Sequence, residues 1–155
     1  MYEYNNDFTR NPASPASWSQ IGYSVMYNIA ACGGTAPVNL TMNNYTNNTV
    51  LYYNLIVVGT YNIEASLCFN TTSGSLTYQY AISTSSSSFD SDITPYVCRY
   101  YIMDYVNEVR TMCCSRVVYS PTPSGTPVYA MIYPTGTAGT LQVLGNSYIR
   151  ATHIA

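Results

Sequence analysis

The strongest constraint on how this chain folds is a short-range alternation of apolar and polar residues, broken repeatedly by turn-forming residues. Ile21, Tyr23, Val25, Tyr27 and Ile29 occupy every second position. A helix would scatter these side chains around its circumference, whereas a strand places them all on one face. The same reading predicts strands over 38–42, 50–58, 63–69, 76–82, 96–103, 117–119, 128–133, 141–144 and 148–154. Residues 128–133 are apolar on both faces, as expected for a strand inside a sandwich. Gly33-Gly34, Ser73-Gly74, the proline-rich 121–127, Thr135-Gly136 and Gly145-Asn146 separate these runs.

About eight to ten short strands with frequent turns predict an all-β chain: a single antiparallel β-sandwich of jelly-roll type over residues 18–155. One stretch departs from the pattern. Ile102, Tyr105, Val106 and Val109 recur at helical spacing, which predicts one short helix near 102–112. Residues 1–17 contain Pro12 and Pro15 and read as an extended polar N-terminal arm. The serine run 83–88 reads as an exposed loop.

Charge is scarce. The 155 residues include 5 basic and 7 acidic side chains, 8% of the chain, and every basic one is arginine. Globular proteins typically carry about 25%. Asn, Ser, Thr, Gln and the hydroxyls of 18 tyrosines must therefore supply the hydrated coat. Such a coat changes little with pH, which suits an acidic external medium; a neutral, sugar-covered secreted surface is the alternative. Five dispersed arginines form no basic patch, so no nucleic-acid partner is expected. The longest apolar run, 51–58, is interrupted by Asn54 and is far too short for a helical membrane span.

Cys32, Cys68, Cys98, Cys113 and Cys114 lack the paired spacings of a metal site. Their long separations predict disulfides between distant strands, with one thiol left over. Asn39, Asn44, Asn47 and Asn70 each begin an Asn-x-Thr triplet and are candidate glycosylation sites.

No catalytic constellation assembles. His153 is the sole histidine and no nucleophile elbow accompanies it. Glu64 has no acidic partner that the sequence singles out for glycoside hydrolysis. Asp90-Ser91-Asp92 lacks the glycine and distal glutamate of a standard calcium loop. The expectation is a non-enzymatic protein without cofactor or metal.

Tyrosine combines a large ring with a polar tip, which suits interfaces. The adjacent pairs Tyr52-Tyr53 and Tyr100-Tyr101 must place one ring on each face of a strand, and with Trp18 they are candidate contact residues. These features point to a structural subunit of an extracellular particle, of virion capsid, spike or turret type, at a virion surface or outside a cell. Its partners would be copies of itself or other structural proteins of that particle, with glycans a further class. The alternatives are an extracellular filament or pilus subunit assembled by strand addition, and a secreted carbohydrate- or receptor-binding module.

Overall fold

The computed structural model describes residues 24–28, 36–43, 51–73, 76–92, 98–102, 109–136 and 140–155. All the regular structure among them is β: β1 (Ser24–Asn28), β2 (Val38–Leu40), β3 (Tyr52–Leu55), β4 (Gly59–Ser73), β5 (Leu76–Ser83), β6 (Cys98–Ile102), β7 (Val109–Ser120), β8 (Thr126–Gly136), β9 (Thr140–Val143) and β10 (Tyr148–His153).

These strands form two wholly antiparallel sheets. In the first, β4 is central. One of its edges pairs with β7 in unbroken register from Gly59↔Ser120 to Asn70↔Val109. Its other edge pairs with β10 along residues 61–66 and then with β9 along 69–73, so β9 and β10 lie end to end as one row. β1 and β2 lie end to end against that row. The second sheet runs β3-β8-β5-β6.

Counting each end-to-end couple as one row leaves eight rows. The first sheet then reads 1-8-3-6 and the second 2-7-4-5. Row 1 pairs with 8, 2 with 7, 3 with 6 and 4 with 5. The chain is thus one long hairpin whose two arms are rolled up together, which is a jelly roll. The expected fold class is met.

The core lies between the sheets. Tyr61, Ile63, Ala65, Leu67 and Phe69 of β4 pack toward Tyr78, Tyr80 and Ile82 of β5 and Val128, Ala130 and Ile132 of β8. Phe69 and Tyr78 meet edge to face at 5.0 Å. Fully burying side chains of this kind contributes about 1.5–3 kcal/mol each. On the opposite side of β8 Met131 is inaccessible too, while Tyr129 and Tyr133 beside it are half-buried.

Two sequence expectations need correction. A helix near 102–112 is not formed at either end of that range: Ile102 ends β6, and residues 109–112 are the first rungs of β7. Residues 103–108 lie outside the described residues. Pairing of 109–112 with residues 67–70 of β4 supplies the backbone partners a helix would have provided, so tertiary context overrides the local period. The strand expected at 50–58 is also shorter. β3 stops at Leu55, because 56–58 carry the chain from one sheet to the other.

The join between β9 and β10 leaves Cys68 of β4 opposite a turn rather than a strand. Ser147, fully buried, fills the gap: its hydroxyl accepts the Cys68 N–H at 2.8 Å and donates to the Cys68 carbonyl at 3.1 Å. Without it, two buried backbone groups would lose these partners.

Candidate functional site

Two surfaces stand out: the outer face of the first sheet, and a charged cluster at the open side of the sandwich.

Strand alternation directs the even residues of β4, the odd residues of β7 and the even residues of β10 to the outer face. Neutral polar groups dominate it: Asn62, Thr111, Ser115 and Thr152, with Thr152 donating to Ser24 at 3.0 Å. The charges on these described rows are Glu64 and Arg150, which sit directly opposite in register and bond to each other. Large apolar side chains are exposed alongside: Met26 at 65%, Val109 at 58%, Val117 at 61% and Tyr119 at 62%. This face offers hydrogen bonds and apolar area with little charge to desolvate.

The charged cluster is built on the serine-rich loop after β5. The Asp90 carboxylate accepts the Ser83 hydroxyl at 2.9 Å, the Thr84 N–H at 2.8 Å, the Thr84 hydroxyl at 3.0 Å and the Ser85 N–H at 3.2 Å. Arg116 reaches across from β7 to the same carboxylate at 2.5 Å and to Asp92 at 2.9 Å. It also donates to the Ile82 carbonyl at 3.1 Å. Burial pushes the Asp90 carboxyl upward, but the bonds from Arg116, Thr84 and Ser83 outweigh it and hold the group below the usual aspartate range. The loop is therefore wound around one anion, and Arg116 clasps the two sheets together through it. The guanidinium lies between Asp90 and Asp92 and supplies the positive charge that both carboxylates face. A cleft of about 340 Å³ opens beside it, lined in part by Ala81, Cys114 and Val117.

At the same end of the sandwich the chain terminus is folded back on β4. Thr60 donates its N–H to the Ala155 carbonyl at 2.5 Å and accepts the Ile154 N–H at 2.8 Å. His153 lies against the Tyr61 ring at 4.8 Å, as an ordinary strand residue would. Gly59 adopts a φ of +151°, and a β-carbon there would strike the His153 ring and the Ala155 carbonyl. Burial raises the Tyr61 phenol above its usual pKa, opposed by its hydrogen bond to the Val57 carbonyl at 2.9 Å.

The disulfide expectation is corrected for the cysteines whose side chains are described. Cys68, Cys113 and Cys114 are reduced. Cys114 faces the core while Cys113 points outward and donates to Ser66 at 3.5 Å. Cys68 shares the outer face with Cys113 but opposes Thr111 in register, which makes the two sulfurs diagonal neighbours. Diagonal positions stand about 7–8 Å apart, beyond disulfide reach. Cys98 lies on β6, its side chain outside the described set, and Cys32 lies outside the described residues.

Asn39 is exposed on β2, where its side-chain oxygen accepts Gln142 at 2.8 Å. Asn70 is half-buried within β4 and Thr71 is buried beside it, so this triplet is part of a sheet rather than a presented loop. Asn44 and Asn47 lie outside the described residues, as do Trp18 and the arm 1–17. Tyr52 is exposed, its ring 6.2 Å from that of Tyr129, and Tyr53 packs against the core, so adjacent rings divide between faces as expected. Tyr100 and Tyr101 lie on β6 with side chains outside the described set. The sequence reading missed the Asp90–Arg116 clasp. A usable signal was present: Ser, Thr and Asp within a few residues commonly fold onto each other's backbone, and Arg116 is an isolated charge between uncharged neighbours.

Among the described residues there is no cluster of His, Cys, Asp and Glu suited to a metal ion, and no helix is long and apolar enough to cross a membrane. No protein-family model matches the chain, and no curated protein matches it. Solved structures with some likeness include the Eiger TNF of S. frugiperda, at 9% identity and TM-score 0.35, covering 63% of this chain and 60% of that one. A T13 viral particle of IBDV aligns at 9% identity and TM-score 0.45, covering 86% of this chain and 36% of the other. Infectious bursal disease virus strain Gx aligns at 16% identity and TM-score 0.38, with 86% and 30% covered. The chain thus spans less than two thirds of each of these proteins. The strand order itself defines the class: a two-sheet jelly-roll protein.

Proposed function

We propose that this protein is a non-enzymatic structural subunit of an extracellular particle, of virion capsid, spike or turret type, and that it assembles with copies of itself or with other structural proteins of that particle. The observation that carries this reading is the outer face of the first sheet. It exposes Met26, Val109, Val117 and Tyr119 among neutral hydrogen-bonding groups, with its one described ion pair internally neutralised. Large exposed apolar side chains grouped on one face mark surfaces that meet a partner. A low charge keeps the cost of desolvating that face small. Sedimentation velocity of the purified protein from micromolar to millimolar concentration tests the reading. Discrete closed oligomers are expected; a monomer throughout that range would overturn it.

A further inference from the structure

β7 is the outer row of its sheet, and among the described residues no strand pairs with its far edge. Natural proteins guard a long sheet edge with charged side chains, lysine above all, with proline, with a bulge or with a covering segment, because an open edge accepts another strand. The register of β7 with β4 has no bulge, and its sequence VRTMCCSRVVYS contains neither proline nor lysine. Its two charges, Arg110 and Arg116, both belong to the inward set, where Arg116 is paired with Asp90 and Asp92. Its outward side chains, Val109, Thr111, Cys113, Ser115, Val117 and Tyr119, bear no formal charge.

The direction of the edge groups follows from β4. Thr60 and Cys68 both turn their N–H and C=O away from β7, toward Ala155 and Ile154 in one case and Ser147 and Leu144 in the other. Hydrogen-bonded and non-hydrogen-bonded pairs alternate in an antiparallel ladder. The odd residues of β4 therefore bond to the even residues of β7. The odd residues of β7 from Thr111 to Tyr119 present their N–H and C=O at the far edge.

We propose that this edge joins two copies of the chain, with the two β7 strands antiparallel about a two-fold axis at Cys114. The inference rests on the self-assembly reading above and adds a contact at the edge of the same sheet, beside its outer face. The sequence selects the axis. With Cys114 opposite itself, Val109 stands opposite Tyr119 of the second copy, Thr111 opposite Val117, and Cys113 opposite Ser115. Each exposed apolar side chain of the strand then has a cross-strand neighbour. Moving the axis to Cys113 sets Arg110 directly against Arg116 of the second copy, which like-charge repulsion disfavours. Moving it to Ser115 brings Pro121 into the ladder opposite Val109, where no N–H can be donated. The contact is isologous and adds one sheet to its copy.

Cys114 bonds toward β4, so across the new contact it forms a non-hydrogen-bonded pair. Such pairs hold Cα atoms about 4.5 Å apart, within the span of a disulfide. Copper-phenanthroline in air, which accepts two electrons while two thiol protons pass to solvent, is the probe for the full-length chain. A dimer linked through Cys114 is expected on a non-reducing gel and by mass mapping, absent in Cys114→Ser and retained in Cys113→Ser. Val117→Lys, at an outward exposed position, should leave the fold intact and raise the dimer dissociation constant about tenfold or more. Oligomers that give no Cys114 link and ignore Val117→Lys would overturn this edge while leaving self-assembly standing. A link through Cys113 alone would overturn the axis. A monomer under all conditions would overturn both proposals.

Discussion

β4 and β7 lie side by side along the whole of β7, yet they live in different surroundings. On the outer face of that shared ladder Ser66 of β4 is buried, while Val117 of β7 is exposed. Neither outcome follows from the side chains themselves. β4 has partners on both edges and a packed core beneath it. Among the described residues β7 has one paired edge, so its outward side chains lack a neighbouring row there. Row position, more than residue hydrophobicity, sets burial in this sheet.

Four substitutions break or sharpen that contrast. Ile63→Ala, at a fully buried site in β4, should cost about 3 kcal/mol in urea unfolding, through lost transfer energy and the cavity left behind. A cost under about 1 kcal/mol would mean that β4 is not the packed centre. Ser147→Ala removes the hydroxyl that completes the second edge of β4. Two buried backbone groups of Cys68 then lose a partner, and a loss of about 2 kcal/mol is expected by the same measurement.

Asp90→Asn tests the clasp that ties β7 to the opposite sheet, and about 1.5 kcal/mol should be lost at pH 7. The pH dependence has a definite sign. Asp90 ionises more readily in the folded protein than in the unfolded chain. Its stabilisation is therefore complete above the ordinary aspartate pKa of about 3.9 and declines as pH falls through the lower folded value. Chemical unfolding at successive pH values should show wild type and variant converging only below that point. Convergence already at pH 5 would contradict the assignment. The smallest effect belongs to Val117→Ala, which should change stability by no more than about 0.5 kcal/mol despite removing two methyl groups from a strand.

The same contrast explains what could be read from the sequence. The residues facing the core from β4 announce themselves by strict alternation, because one side meets the core and the other is mostly polar. β8 is legible for the opposite reason: four of residues 128–132 are buried and Tyr129 half-buried, so both of its faces are apolar. β7 was recognised only at 117–119. Its inward set includes Arg116, and its outward set mixes Val with Thr, Cys and Ser, so no period of two survives. The uncharged outer surface was legible in composition. The clasp was not, since it joins residues 26 apart through a loop geometry that composition cannot express.

The row formed by β9 and β10 is stitched between β4 and the β1–β2 row, and β8 likewise runs between β3 and β5. Each sheet thus waits for an inner member that the ribosome makes late. Until residues 126–153 have been synthesised, the earlier strands have gaps where neighbours belong. Folding should therefore be slow for a domain of this size, as remote pairing generally imposes. Native near-UV dichroism in a chain truncated before residue 126 would refute that order of events.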